Sequence, residues 1–264
     1  MRSNSKIKRI IGIAAALLLL ATFSFIFYDL YQHPKDSKGD IVFQEVIKEN
    51  PPGRKSTFHL SDGSIIRLNA SSKLRVIDGF GMETREVYLE GEAFFDISKN
   101  VQKPFIVHTG NISTLVTGTA FNVNAFKDND NIEVAVLEGT VNTILYYEGG
   151  SDTLILEKSD MSIYNKIASK MSKTSYNYLE TMGWKDGVIY FKNVNSNESF
   201  KYLERWFGVD IQVIDQENIS GAFYGEFKNE ILENVLSAMS KALQFDYQIK
   251  DKIVVIKPKM KGYE

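Results

Sequence analysis

The chain has 264 residues, with 31 lysines and arginines, 33 aspartates and glutamates, and no cysteine. The lack of cysteine excludes disulfides, thiolate chemistry and a lipid-modified N-terminal cysteine. Four basic residues precede the first apolar segment, which leaves 27 basic against 33 acidic side chains in the rest, so nucleic-acid binding is disfavoured.

The first predicted element is an apolar helix over residues 10–28, because no charged residue occurs from Ile10 to Phe27. Eighteen residues rise about 27 Å, close to the hydrocarbon thickness of a bilayer. The basic tail 1–9 predicts a cytoplasmic N-terminus. We therefore expect a single-pass membrane protein with its bulk on the non-cytoplasmic side. A cleaved signal peptide is the alternative, although its apolar core is usually shorter.

Residues 29–51 form a polar predicted linker, and residues 52–170 are predicted to fold as an all-β sandwich or β-roll. Short apolar alternations are separated there by turn signals, as in antiparallel sheets. Residues 114–126 are predicted as one of the strands. The tripeptide Leu89-Glu90-Gly91 recurs as Leu137-Glu138-Gly139, which indicates equivalent turns or bulges in two sheet units.

Residues 183–258 are predicted to form a small α+β domain of βαβ-βαβ type. Phe191-Lys192-Asn193 recurs as Phe227-Lys228-Asn229, and each half alternates strand, helix and strand. Asn195 is a predicted N-cap and Gly208 a predicted helix end. Two helices are expected on one face of a small sheet.

The search for catalytic or metal-binding groups favours neither an enzyme nor a metalloprotein. His33, His59 and His108 are far apart in the sequence and lack metal-ligand spacing, so no metal and no cofactor are predicted. Glu90 and Glu92 would share one strand face, where a glycosidase needs two carboxylates that flank a bond. A solvated acidic patch is the preferred interpretation.

One peptide bond has self-cleavage chemistry available. In a strained turn, the Thr119 hydroxyl could attack the Gly118 carbonyl carbon and break the Gly118–Thr119 amide, which leaves an ester that water hydrolyses. Gly139-Thr140 is a second instance of the pair, and spacing alone does not separate the two.

Several motifs together resemble the FecR family of bacterial transmembrane anti-sigma regulators, in that family's order and spacing across residues 52–145. These motifs are LSDGS and LNASS, REVYLEGEAFFDI, KPFIV, GTAFNV and VLEGTV. LERWFGV at 203–209 resembles the family's C-terminal domain, which is similar to the short signalling domain of secretins and TonB-dependent transducers.

The resemblance implies an inner-membrane-anchored periplasmic sensor that regulates an extracytoplasmic-function sigma factor. Its implied partners are that sigma factor, the membrane, and the signalling domain of an outer-membrane TonB-dependent transducer, with Val188 to Ile256 as the candidate binding region. Some relatives cleave themselves at a Gly-Thr bond, and the matching position here is Gly118–Thr119.

The chain departs from the family at its start, since relatives usually have a sigma-binding helical domain before the membrane helix. Nine residues cannot form a core, so direct sigma binding is not expected in the usual way. An incomplete N-terminus, a two-chain system and a sensor that acts through a partner stay open. The alternative function is a membrane-tethered periplasmic glycan-binding or envelope-scaffold module, with sugars stacked on an exposed Trp184.

Overall fold

The chain divides into two units, residues 1–43 and 44–264, each described by itself. The computed structural model describes residues 18, 20–28, 45–77, 80–81, 84–215, 219 and 221–259. The predicted tail 1–9 and most of the predicted linker lie outside the described residues. In the first unit, residues 20–28 form helix α1.

The membrane prediction over residues 10–28 is not upheld by this helix. Nine helical residues rise about 13 Å, less than half of the ~30 Å hydrocarbon layer. Across the described part of the chain, every helix is too short or too polar to cross a bilayer. The predicted localisation, a single-pass inner-membrane protein with a periplasmic bulk, is therefore wrong. Residues 10–17 and 19 of that prediction lie outside the described residues.

The second unit begins with thirteen strands, which we call the β domain. They are β1 (Glu45–Asn50), β2 (Ser56–His59), β3 (Ile65–Leu68), β4 (Ser72–Ile77), β5 (Arg85–Asp96), β6 (Phe105–Thr109), β7 (Ile112–Val116), β8 (Ala120–Ala125), β9 (Asn131–Glu138), β10 (Val141–Tyr147), β11 (Gly150–Leu156), β12 (Asp160–Asn165) and β13 (Lys170–Ser175). The predicted strand 114–126 is split between β7 and β8, because Gly118 at φ +148° turns the chain.

The long strand β5 belongs to both halves of the β domain. Its first half pairs with β4 and in parallel with β6, and its second half pairs with β3 and β8. One half-sheet has the order β1-β4-β5-β6-β7-β10-β11, and the other has β2-β3-β5-β8-β9-β12-β13. Gly91 stands where β5 passes from one to the other, at φ +94°. Both Leu-Glu-Gly repeats place glycine at positive φ, since Gly139 has φ +90°.

The apolar faces of the two half-sheets enclose one core. Phe95 stacks on Phe121 at 5.1 Å and meets Phe105 edge-on at 6.2 Å, and all three side chains are fully buried. Each buried side chain of this size stabilises the fold by roughly 1.5–3 kcal/mol. The predicted β-rich fold is confirmed.

A buried arginine fastens the loops at one end of this core. Arg85 donates to Asp62 Oδ2 at 2.9 Å, and also to the backbone oxygens of Ser98, Asn100 and Lys103. Its charge is paired and its planar donors are used, as a buried guanidinium requires.

The remaining elements form the C-terminal domain. They are α2 (Tyr178–Met182), a 3-10 turn (Gly183–Asp186), β14 (Val188–Asn195), α3 (Ser196–Phe207), β15 (Asp210–Val213), β16 (Ala222–Lys228), α4 (Leu232–Leu243), β17 (Phe245–Lys250) and β18 (Ile253–Pro258). The N-cap prediction is confirmed, because Asn195 Oδ1 accepts from Glu198 N at 2.9 Å. Gly208 ends α3 in the left-handed conformation, also as predicted.

The strands of this domain lie in two sheets rather than one. β14 pairs with β16, while β15, β18 and β17 form a three-stranded sheet. Helices α3 and α4 form a single hydrophobic core with these strands. The repeated Phe-Lys-Asn tripeptide has a backbone cause, because Asn193 and Asn229 both adopt left-handed φ values, 58° and 53°, a conformation that asparagine tolerates well.

Candidate functional site

A carboxylate lies buried where the β domain meets helix α3. The side chain of Glu92 is on the second half of β5, and the residue is 5 % exposed. Asn69 Nδ2 donates to Oε2 at 2.7 Å and Asn122 Nδ2 donates to Oε1 at 2.9 Å. Because both donors are neutral amides, these two hydrogen bonds satisfy the carboxylate without cancelling its charge.

Burial raises the pKa of Glu92 to about 7, while the hydrogen bonds from Asn122 and Asn69 lower it. The negative charge of Glu133 adds to the rise, and the positive charge of Arg205 opposes it. Glu90 does not share this environment, because it is exposed and its carboxylate lies 2.6 Å from Lys127 Nζ. The predicted shared acidic face is therefore wrong, since Gly91 redirects the strand between the two glutamates.

Helix α3 covers this carboxylate with its last two turns. Tyr202, Arg205 and Trp206 line a small cavity of about 40 Å³ together with Glu92 and its neighbours on the β domain. Arg205 pairs with Asp128 at 3.1 Å, and its guanidinium lies 4.3 Å from the centre of the Phe126 ring. Burial, and secondarily the charge of Glu92, raise the pKa of Tyr202.

A lysine from the β domain reaches the same helix. Lys55 Nζ lies 2.9 Å from the centre of the Trp206 ring and donates to the Trp184 carbonyl at 3.3 Å. Burial lowers the pKa of Lys55 to about 8, and the charge of Glu92 opposes that shift. The lysine therefore binds the aromatic face as a largely desolvated cation, the condition in which cation–π contacts are strongest.

Backbone contacts complete this contact region, which we call the α3 junction. Gly53 N donates to the Arg205 carbonyl at 2.8 Å. A Cβ on Gly208 would lie 2.8 Å from the Pro52 carbonyl oxygen, and a Cβ on Gly53 would lie 3.0 Å from the Phe207 oxygen. Both residues must be glycine for the two backbones to approach this closely.

Trp184 is part of the α3 junction rather than an exposed sugar platform. It is 5 % exposed, and its Nε1 donates to Asn122 Oδ1 at 3.1 Å. The prediction of an exposed Trp184 is wrong, because the 3-10 turn after α2 folds the ring onto strand β8. Asn122 thereby links Trp184 to the Glu92 carboxylate.

The two Gly-Thr pairs are brought side by side. Thr119 Oγ1 donates to the Thr140 carbonyl at 2.9 Å, and a Cβ on Gly139 would lie 2.9 Å from that hydroxyl oxygen. Gly118 has φ +148°, and a Cβ there would lie 2.6 Å from Lys99 Cα. Residue 118 must therefore be glycine, and the Thr119 hydroxyl is held by its hydrogen bond to Thr140.

His108 has polar partners that the sequence did not reveal. Its Nε2 lies 3.0 Å from Glu86 Oε2 and its Nδ1 lies 2.9 Å from Ser113 Oγ, while Tyr88 stacks on the ring. These residues occupy three neighbouring strands of one half-sheet. A catalytic site for acyl transfer also needs paired backbone N–H donors that stabilise an oxyanion. The backbone N–H groups of these inner strands are used in their sheet ladders and do not provide such donors. Among the described residues, no three side chains of His, Asp or Glu form a metal-binding group.

Comparison with known proteins identifies both domains. The family model described as FecR protein matches residues 49–142, and the one described as FecR, C-terminal matches residues 188–256. The chain belongs to the FecR family. The resemblance predicted from the motifs is thereby confirmed, and this FecR chain is a member of a regulator family rather than of an enzyme family.

Two crystal structures are similar to this FecR chain. Both are of a "putative anti-sigma factor" from Parabacteroides distasonis ATCC 8503, at 1.65 and 2.50 Å resolution. Each is 26 % identical with a TM-score of 0.72, and the match covers 81 % or 82 % of this chain and all of the other. No curated protein matches the chain. These relatives support an anti-sigma-factor-like regulatory role.

The asparagines and Lys55 of the α3 junction are the functional residues that sequence reasoning missed. Asn122 had a detectable signal, because asparagine is disfavoured in strands and here stands between Phe121 and Val123 in the middle of one. Lys55 had no detectable signal in the sequence, because its partner Trp206 is distant along the chain.

Proposed function

We propose that this protein relays a signal from a TonB-dependent transducer to an extracytoplasmic-function sigma factor. Residues Val188 to Ile256 of the C-terminal domain would bind the transducer's signalling domain, and the β domain would pass the bound state onward. Membership of the FecR family and the anti-sigma-factor neighbours support the sigma-factor arm. The transducer part of the proposal rests on the match to the FecR C-terminal model and on what the resemblance of residues 203–209 implies.

The sheet of β14 and β16 is the proposed docking surface. Within the described residues, β16 pairs with β14 alone, so its other edge can accept a strand from a partner. Tyr224 on β16 is 64 % exposed, so its ring is accessible to a partner. Lys192 and Glu226 flank it with charges of both signs, which would help to orient the incoming chain.

The observation that carries the proposal is a continuous series of packed rings from this sheet to the α3 junction. Phe223 on β16 meets Phe191 at 5.8 Å, and Phe191 meets Tyr202 at 5.4 Å. Tyr202 stacks on Trp206 at 5.7 Å, and Trp206 lies under Lys55 of the β domain. A partner strand that shifts β16 would therefore press on side chains that hold the two domains together.

The test is binding of the full chain to purified transducer signalling domains, measured by calorimetry. We expect binding by at least one domain encoded in the same genome, and a loss of tenfold or more in the Tyr224→Ala variant. Tyr147→Ala removes a tyrosine of the β domain that is 52 % exposed and should leave the affinity unchanged. Absence of binding to every transducer domain, or an equal loss in both variants, would contradict the proposal.

Self-cleavage at Gly118–Thr119 is part of the same proposal. Glycine is required at both 118 and 139, so this bond is proposed over Gly139–Thr140 because the Thr119 hydroxyl is held by its hydrogen bond to the Thr140 carbonyl. Cleavage would leave two segments that are still joined through the β5–β8 ladder, so a signal could be stored in the assembled protein and released on separation.

A further inference from the structure

Three hairpin turns lie together at one end of the β domain and line an open groove of about 390 Å³. The turns join β6 to β7, β10 to β11 and β12 to β13. The groove residues that matter here are Asn111, Tyr146, Tyr147, Asp152, Tyr164 and Ser169. Clustered turns at the end of a β scaffold are a common place for binding sites, and the volume is within the range of small-ligand pockets.

The ring of Tyr147 is held in position within this groove. A Cβ on Gly150 would lie 3.4–3.5 Å from its hydroxyl and ring carbons, so the ring lies against the bare Gly150 backbone. Its hydroxyl donates to Asp152 Oδ1 at 3.3 Å. Tyr147 is still 52 % exposed and Tyr146 beside it 51 %. An aromatic surface is therefore fixed and open before any ligand arrives, which lowers the entropy lost on binding.

The polar groups of the groove are also oriented. Asn111 Nδ2 donates to the Tyr164 hydroxyl at 3.0 Å, and the Asn111 carbonyl accepts from Tyr146 N at 2.9 Å. An amide, hydroxyls and one carboxylate thus border the tyrosine rings. Among its described lining residues the groove has neither lysine nor arginine, so its chemistry disfavours anions.

This combination fits one ligand class. A pyranose ring has an apolar C–H face that packs on an aromatic ring, and adjacent hydroxyls that bond to carboxylate and amide groups. We propose that the groove binds a neutral oligosaccharide, with one sugar ring stacked on Tyr147 and its hydroxyls bonded to Asp152 and Asn111. The site lies in the β domain, and Tyr147 rather than the buried Trp184 would contact the glycan.

The test uses the full chain and isothermal calorimetry with cellohexaose, maltohexaose, chitohexaose and mannohexaose as probes. We expect at least one of these to bind, and Tyr147→Ala to weaken that binding about tenfold. Asp152→Asn should weaken it as well, whereas Tyr147→Trp should preserve it because the larger ring still offers a stacking face. Trigalacturonic acid, an anionic probe, should bind more weakly than the neutral sugars.

Tyr224→Ala is the matched control, because it removes a tyrosine of similar exposure from the other domain. Each variant should fold normally because the replaced side chain is exposed, and circular dichroism checks this. The proposal is overturned if no probe binds, if Tyr147→Ala binds as the unaltered chain does, or if Tyr224→Ala loses the sugar equally. It is also overturned if the anionic probe binds best.

Discussion

Lys55 Nζ lies 2.9 Å from the centre of the Trp206 ring, and this contact joins the β domain to the last turn of helix α3. The same ammonium group donates to the Trp184 carbonyl. Both tryptophans of the chain are therefore held by one lysine. Their fluorescence reports directly on the α3 junction, which makes the junction accessible to experiment.

Replacing Lys55 by methionine tests the strength of this contact. Methionine keeps most of the aliphatic stem but removes the charge over Trp206 and the hydrogen bond to Trp184. We expect the free energy of unfolding to fall by about 1–2 kcal/mol, measured by urea denaturation followed by tryptophan fluorescence. Lys48→Met is the control, because Lys48 lies 5.6 Å from the Phe58 ring and is exposed. Equal losses in the two variants would contradict a special role for Lys55.

Glu92 should make the free energy of unfolding depend on pH. Its pKa is raised from 4.5 to about 7 in the folded state, so between these pH values the folded state binds more protons than the unfolded state. Stability from this group is therefore greatest below about pH 4.5 and declines as the pH rises to about 7, by an amount on the order of 3 kcal/mol. The groups facing it are Glu133, Arg205, Tyr202 and Lys55.

The Glu92→Gln variant isolates this contribution. Glutamine does not titrate, so the difference in free energy of unfolding between the two proteins should change with pH between 4.5 and 7 and be constant above that range. Its side chain replaces one of the two accepting oxygens by an NH2 donor, so the hydrogen bond from Asn69 or from Asn122 is lost and a pH-independent loss of stability is also expected. Urea denaturation at a series of pH values measures both. A constant difference from pH 4 to 8 would show that Glu92 titrates normally.

Much of the fold was predictable because its signals are local. Alternating apolar residues set the β strands, Asn195 and Gly208 set the ends of α3, and the paired Phe-Lys-Asn tripeptides marked the internal repeat. The split of the predicted strand 114–126 was less visible, since only the backbone at Gly118 requires it.

The candidate site was less predictable because it depends on tertiary contacts. Alternation placed Glu90 and Glu92 on one face, but Gly91 and the passage of β5 between half-sheets place one in solvent and one in the interior. Trp184 was predicted to be exposed, but strand β8 supplies Asn122 as its partner and the ring is buried. The helix prediction at the N-terminus rested on hydropathy alone, and the described helix there is too short to span a bilayer.

Gly91 should be one of the least replaceable residues of the β domain. It has φ +94°, and an added Cβ would lie 2.4–2.8 Å from the side chain and Cα of Ser72. Ser72 also accepts the hydrogen bond from Glu92 N, so it cannot move without disturbing the buried carboxylate. We expect Gly91→Ala to lower the free energy of unfolding by at least about 2 kcal/mol, measured by urea denaturation.

Gly110→Ala separates the steric clash at Gly91 from backbone strain alone. Gly110 also has positive φ, +59°, but an added Cβ would meet no atom within 4 Å. The expected loss there is only about 1 kcal/mol. If both variants lose the same stability, the close approach of Ser72 to Gly91 is not what requires glycine in β5.

The proposed cleavage gives a simple result on a denaturing gel. The unaltered 264-residue chain should yield fragments of 118 and 146 residues, with mass spectrometry placing the new N-terminus at Thr119. Thr119→Ala should remain intact because it lacks the attacking hydroxyl, and Thr119→Ser should still cleave. Thr140→Ala is the control, since it alters the neighbouring Gly-Thr pair but keeps the backbone carbonyl that accepts from Thr119. Two fragments from Thr119→Ala, or an intact Thr140→Ala protein beside a cleaved unaltered chain, would place the chemistry elsewhere.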